Sequence, residues 1–412
     1  MASKARVLII GGGFGGLFTA LHLAGSADVT LLSAEDRFTF RPLLYEYLSG
    51  EVEAWHIAPP YHELIDERVN FVQGHATSVD LSARQVILAD ASEPIGYDVL
   101  VIAVGGVTNY AGVPGAEEHS LPFRGINDAD QLRQRMVDAL DGIAPDLPPQ
   151  DVRSALTFAV VGGGASGVEL STKMADLLND AFSRRALKGE PRVLVIELGD
   201  QVVPGMGADI RKHVEHALHL SRVEVHTQTR VVRVSPGSVT LAHTDSQAEI
   251  PVAAVVWVGG VRVNPLIESL PVEKTRNGLL QLTPTLQLPG HENVFALGDN
   301  AHYEDAAAPL AGTAQLANQQ SVLAAQNVRA FLAGGQLQTK HFEEIGEAIS
   351  LGTERAAVLT GGRAFAGALA RQARFAMYTS RLPTWQHRVR VGASWFFEGT
   401  TPRPLLPLGF QR

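Results

Sequence analysis

The sequence predicts an α/β fold that uses one strand, turn and helix unit twice, followed by a small third region. Three observations carry this. An apolar run, Val7 to Ile10, leads into Gly11, Gly13 and Gly16 and then into a helical apolar pattern. The same order returns at Phe158 to Val161, Gly162, Gly164, Gly167 and the helical stretch Val168 to Leu187. A further buried-strand pattern, VFALGD at 294–299, ends in Gly298 and Asp299. One GxGxxG among 40 glycines in 412 residues is weak evidence, but two copies starting 151 positions apart, each between a strand and a helix, are far less open to chance.

Each glycine in such a loop has its own task. The first permits the turn, the second lets the backbone approach a pyrophosphate, and the third lets helix and strand pack closely. The helix N-terminus then presents free N–H groups and a positive dipole end to the phosphates. Two Rossmann-like dinucleotide-binding domains follow as the expected architecture.

Composition removes other classes. A net charge of −9 argues against a nucleic-acid partner, which needs a basic footprint. With no cysteine there is no disulfide, thiolate metal site or redox CxxC. The 14 histidines show no ligand spacing, so no metal is expected. Residues 2–6 hold polar and charged side chains and no signal-peptide core, which predicts a cytoplasmic protein. The longest nearly apolar stretch, Ile250 to Val261, falls well short of the roughly 20 residues that span a bilayer.

In chain order, Val29 to Leu32 reads as the second strand. The usual ribose-binding acid at its end is replaced by Ser33, with Glu35 and Asp36 the nearest carboxylates. RPLLYEYLSG at 41–50 and Trp55 to Pro60 read as a helix between loops. Asn70–Val72, Ser78–Leu81 and Gln85–Leu88 read as short antiparallel strands. Tyr97 to Gly105 is a buried strand ending in small residues, and 140–153 reads as a linker or lid. Val193 to Ile196 ends in Glu197, a carboxylate placed to hydrogen-bond a ribose 2′-hydroxyl and repel a 2′-phosphate. Val223–Val225, Val231–Val234 and Val239–Leu241 read as a meander. Thr313 to Leu332 is a helix with Gln315 and Gln319 on one face, neutral amides that can donate to a carbonyl without burying a charge. The stretch Gly361 to Arg390 holds six arginines and no acid, and as a helix it would align Phe365, Ala368, Leu369, Gln372 and Ala376.

These segments resemble the two-dinucleotide-binding-domain flavoproteins, specifically the type II NADH:quinone oxidoreductases. The resemblance spans nearly the whole chain: GGGFGG at 11–16, RPLLYE at 41–46, YDVLVIAVG at 97–105, GGGASGVEL at 162–170, VWVGGVRVNP at 256–265, FALGD at 295–299 and AQLANQ at 314–319. LSGEVEAWHIAP and RLPTWQHRVRVG look closest to the plastid-type branch.

The resemblance implies an FAD site from Gly11, Gly13, Phe14, Gly15, Gly16, Glu35, Pro42, Leu43, Ala103, Gly105, Gly298, Asp299, Ala314 and Gln315. It implies an NAD(P)H site from Gly162, Gly164, Ala165, Gly167, Glu169, Glu197 and Gly260, with Glu169 beside the nicotinamide and Gln315 and Gln319 at the quinone. It further implies an FAD-binding domain at 1–125 and 276–335, an inserted NAD(P)H-binding domain at 126–275, and a C-terminal region at 336–412 that docks on the cytoplasmic face of a membrane. The implied reaction passes hydride from NADH to FAD and two electrons on to a quinone. Ser33, Gly259 and Gly260 depart from the family pattern, in which an acid is usual at the first position and Ala is common at the others. Glu197 predicts a preference for NADH, whereas the plastid-type likeness leans to NADPH. A soluble reductase of an electron-carrier protein shares both fingerprints, and a flavoprotein that senses NADH is a non-enzymatic alternative. Disulfide reductases and sulfide:quinone oxidoreductases need a cysteine this chain lacks. The sequence leaves a homodimer open.

Overall fold

Strands that alternate with helices and carry unbroken apolar runs are buried on both faces, and two parallel sheets here obey that rule. The computed structural model describes residues 4–398 and 408, apart from 92, 145, 245, 304–312 and 343–345. The chain divides into two units. The first takes Met1–Thr39, Ala58–Val107 and Val261–Glu344, and the second takes Phe40–Ile57, Thr108–Gly260 and Ile345–Arg412.

In the first unit a six-stranded sheet runs Gln287–Leu288, His291–Ala296, Val99–Ile102, Arg6–Ile10, Asp28–Ser33, Val69–Gln73. All neighbours are parallel except the first pair, and the register sets Val7 beside both Val29 and Val99. Val7, Ile9, Val99, Val101 and Phe295 are fully buried, as the apolar runs require. Helices Phe14–Leu23 and Ala314–Leu332 pack on one another. Thr313 caps the second of these, its hydroxyl accepting from the Leu316 N–H at 3.1 Å.

The second unit repeats the plan with five parallel strands, Val223–His226, Arg192–Ile196, Thr157–Val161, Ala254–Trp257 and Ser120–Pro122. An antiparallel meander of Thr229–Ser235, Ser238–His243 and Ser246–Pro251 is attached to it. A C-terminal three-stranded sheet, Glu347–Ser350, Ala356–Thr360 and Arg363–Gly367, is followed by helices Ala368–Ser380 and Trp385–Glu398.

Several expectations change. Val69–Gln73 and Val223–His226 are not antiparallel strands but the parallel edge strands of the two main sheets, because helical segments separate each from the strand it pairs with. The expected linker at 140–153 instead includes the end of a helix, Ile126–Asp141, and the start of another, Pro149–Ala155. The stretch from Gly361 to Arg390 is not one helix, since Arg363–Gly367 pairs as a strand and Gly367 takes φ +101° before the helix starts. Segments 40–57 and 345–412 lie with the second unit, which is built around the second fingerprint.

Candidate functional site

The first fingerprint loop follows from sterics. Gly11 takes φ +103°, and a Cβ there would fall on the Ala103 carbonyl; one on Gly16 would fall on the Gly11 carbonyl oxygen. A Cβ on Gly13, by contrast, would meet nothing within 4 Å. The loop is thus closed on the protein side and open where a pyrophosphate would lie, above the N-terminus of helix Phe14–Leu23. Gly15 packs on Leu297, and Phe14 meets Phe38 edge to face at 5.1 Å.

The second loop repeats this. Gly162 takes φ +112°, and its Cβ would lie 2.6 Å from the Gly259 Cα; a Cβ on Gly167 would fall on the Gly162 carbonyl oxygen, and Gly164 again faces open space. Gly259 is therefore glycine because it packs backbone to backbone on the turn. Ala165 opens helix Ala165–Arg184. Gly260, at φ +81°, accepts at its carbonyl from the Asn109 N–H at 3.2 Å. Both loops fit a dinucleotide: the steric demand on every glycine is met and the cradle is vacant of side chains.

The ends of the second strands differ. Glu197 accepts from the Gly163 N–H at 2.6 Å and the Gly199 N–H at 2.7 Å, so its half-buried carboxylate is fixed at the loop. In the first unit Ser33 is buried, its hydroxyl 3.5 Å from the Tyr61 hydroxyl, which donates to the Gly12 carbonyl at 2.7 Å. Glu35 is exposed, and Asp36 is paired with Arg37 at 2.9 Å. No residue type in the sequence marked Tyr61 for this position, since it comes from a separate helix, Tyr61–Leu64.

Among the other expected FAD residues, Ala103 is buried, and Gly105, at φ +65°, donates its N–H to Asn300 Oδ1 at 3.0 Å. Gly298, at φ +78°, donates its N–H to Gln320 Oε1 at 2.8 Å, and Asp299 is half-buried beside it. Asn300 and Gln320 are the buried amides that shape this turn, and sequence reasoning passed over both. Ala314, Gln315 and Gln319 stand half-buried on the first two turns of their helix. Pro42 and Leu43 belong to the second unit.

Around Glu169 the second unit builds a buried charge cluster. Glu169 Oε1 accepts from the Ser350 N–H and from Arg374 Nη2, both at 2.8 Å. Arg374 also donates from Nη1 to Glu46 Oε1 at 2.6 Å and from Nη2 to the Pro42 carbonyl at 2.9 Å, with its guanidinium 4.7 Å from the centre of the Tyr378 ring. Lys173, one helical turn after Glu169, is paired with Glu51, which Arg371 also meets at 2.8 Å. Burial pushes the Glu169 carboxyl up to about 7, with Arg374 opposing, while Arg374 and Lys173 hold the Glu46 carboxyl below the usual range. Glu169 is thus not a carboxylate that merely answers its helix dipole. Nε of Arg374 and Oε2 of Glu46 are buried without a hydrogen-bond partner among the described residues. Each such group costs about 1–3 kcal/mol, and buried ion pairs seldom repay their desolvation in stability. Such a cluster points to a functional site. Glu169 was legible from the motif; Arg374 was not, because its partners Glu46 and Glu169 lie far from it in the sequence.

Among the described residues no group of three or more His, Asp or Glu is placed to hold a metal, and no helix is long and apolar enough to cross a membrane.

Comparison with known proteins agrees with this geometry. The family model described as pyridine nucleotide-disulphide oxidoreductase matches residues 5–321. Demethylphylloquinone reductase NdbB of Synechocystis is 36% identical over 95% of this chain and 96% of its own. Type II NADH:quinone oxidoreductase Ndh of Mycobacterium tuberculosis is 32% identical over 80% of this chain and 73% of its own. The structure of NDH2 from Plasmodium falciparum in complex with NADH has the same fold, with a TM-score of 0.89 at 19% identity over 97% of this chain and 99% of that one. The chain belongs to the pyridine nucleotide-disulphide oxidoreductases and, within them, to the type II NADH:quinone oxidoreductase family.

Proposed function

We propose that this chain is an FAD-dependent NAD(P)H:quinone oxidoreductase that pumps no protons, with FAD on the first fingerprint and NADH on the second. The observation that carries this is the pair of glycine cradles open on the side of the second loop glycine, the later of which has a carboxylate, Glu197, tied to the Gly163 N–H. FAD, when bound, supplies hydride acceptance and two-electron delivery to the quinone. The chain's own part is to hold and orient. The helix N-termini after Gly13 and Gly164 meet the pyrophosphates, Asp299 accepts from flavin hydroxyls, Glu197 accepts from the nicotinamide-nucleotide ribose, and Glu169 takes the nicotinamide carboxamide. Gln315 and Gln319, half-buried on one helix face, donate to a quinone carbonyl.

The C-terminal helices supply a surface for the membrane that carries the quinone, in this reading its cytoplasmic face. Leu369, Trp385, Val389, Phe396 and Phe397 are each at least 60% exposed. Arg363, Arg388 and Arg390 are exposed near them in the sequence. Apolar side chains among cations suit an anionic bilayer boundary. Arg371 and Arg374 do not belong to this surface, because they are engaged with Glu51, Glu46 and Glu169.

Purified protein should be yellow, bleach with one equivalent of NADH under anaerobic conditions, and be reoxidised by quinones but not by an iron–sulfur carrier protein. A colourless folded protein, or reoxidation by the carrier alone, overturns the reading. Flotation on anionic vesicles should fall when Leu369 and Phe396 are changed to Asp, with reduction of a water-soluble quinone retained. Light scattering decides whether the active species is a homodimer.

A further inference from the structure

Glu169 is held by one oxygen. Oε1 receives both the Ser350 N–H and Arg374 Nη2, and Oε2 receives no donor among the described residues. The residue that sets this arrangement, Arg374, is 3% exposed, and its other guanidinium nitrogen, Nη1, is engaged by Glu46. Ser350 contributes through its backbone, so Arg374 is the one side chain donating to Glu169 among the described residues. The remaining titratable neighbours are Tyr378 on the helix of Arg374, Tyr45 beside Glu46, and Lys173 on the helix of Glu169.

We propose that Arg374 is the positioning residue for Glu169: it turns the carboxylate so that Oε1 is occupied and Oε2 is left to the nicotinamide carboxamide. This rests on the reading of Glu169 as the acid on the nicotinamide side. Arg374 brings the C-terminal helix Ala368–Ser380 into the nucleotide site without touching the nucleotide. Its effect on Glu169 is electrostatic, and that separates it from a packing role. An opposite charge in contact favours the ionised carboxylate, and a neighbouring carboxylate disfavours it. Removing Arg374 must therefore raise the pH at which Glu169 ionises, and neutralising Glu46 must lower it.

The test uses the FAD-loaded protein without nucleotide. Infrared difference spectra across pH read the C=O band of a protonated carboxyl, assigned to Glu169 by its loss in E169Q. The wild type should titrate at about 7. R374Q should titrate about 1–3 pH units higher. E46Q should titrate lower, and R374K close to the wild type. In parallel, a tetrahydronicotinamide analogue of NADH, which binds without reducing the flavin, should bind R374Q several-fold more weakly at pH 7 and R374K nearly normally.

An R374Q midpoint equal to that of the wild type, or R374Q and E46Q moving in the same direction, overturns the proposal. If R374Q does not fold, an unmoved midpoint in E46Q overturns it alone. If E169Q binds the analogue as tightly as the wild type, the reading of Glu169 has failed, and the midpoints still report separately on the pairing with Arg374.

Discussion

The two glycine loops are near copies in their backbone and differ in what stands against the middle glycine. At Gly163 the neighbour is the Glu197 carboxylate, accepting the N–H; at Gly12 it is the Tyr61 hydroxyl, donating to the carbonyl. A Cβ on Gly163 would meet Glu197 at 2.9 Å, and one on Gly12 would fall on Tyr61. Both loops meet the steric requirements of a phosphate cradle, which depend on glycine alone. Reading the ribose is a separate task, done by whatever side chain reaches the loop from the next strand or beyond. At this place the second loop has a carboxylate, and the first a neutral plug of Tyr61 and Ser33. A 2′-phosphate should therefore be rejected at the second loop only.

The largest effect should come from placing a charge in the vacant part of each cradle. Gly164→Asp has room for its side chain, so the protein should fold and stay yellow while NADH reduces the flavin at least about a hundredfold more slowly, a like charge at a phosphate costing several kcal/mol. Gly13→Asp should instead yield colourless protein. Flavin content and anaerobic stopped-flow reduction measure both, and loss of flavin in both variants would break the assignment of one dinucleotide to each loop. Next, Glu197→Ala should lower the NADH:NADPH ratio of kcat/KM by about tenfold or more, equivalent to about 1.4 kcal/mol. Ser33→Ala should leave that ratio unchanged. An unmoved ratio in Glu197→Ala would show that the carboxylate only ties Gly163 and Gly199. The smallest effect is Tyr61→Phe, which removes one hydrogen bond to the Gly12 carbonyl and should cost about 0.5–1.5 kcal/mol in thermal unfolding, with nucleotide preference intact.

The glycines were legible in sequence because their spacing is local, although the atoms that Gly11 and Gly162 must clear belong to Ala103 and Gly259, far along the chain. Gly11, Gly13 and Gly16 act within six residues, and a strand before them and a helix after them suffice to read the turn. Glu197 was legible because it ends the strand paired in parallel with the fingerprint strand. Gln320 was missed beside Gln315 and Gln319, since only packing distinguishes a buried amide holding Gly298 from its neighbours one and five positions earlier. The six arginines of 361–390 carry no mark in the sequence of which are paired. Composition counts charges without regard to partners that lie over 300 residues away, as Glu46 does from Arg374. The aligned set Phe365, Ala368, Leu369, Gln372 and Ala376 does lie exposed, although Phe365 reaches it from a strand.

The sequence by itself determined that this chain folds around two dinucleotide loops and has no thiol chemistry, because glycine spacing between a strand and a helix and the absence of cysteine are read from the order of the residues. Tertiary structure decided which charges are buried. Placing Arg374, Glu46, Lys173 and Glu169 together required the C-terminal segment and residues 40–57 to fold into the second unit. The pairing energy of buried charges depends on their separation in space and on the exclusion of water, neither of which is written in the order of the residues.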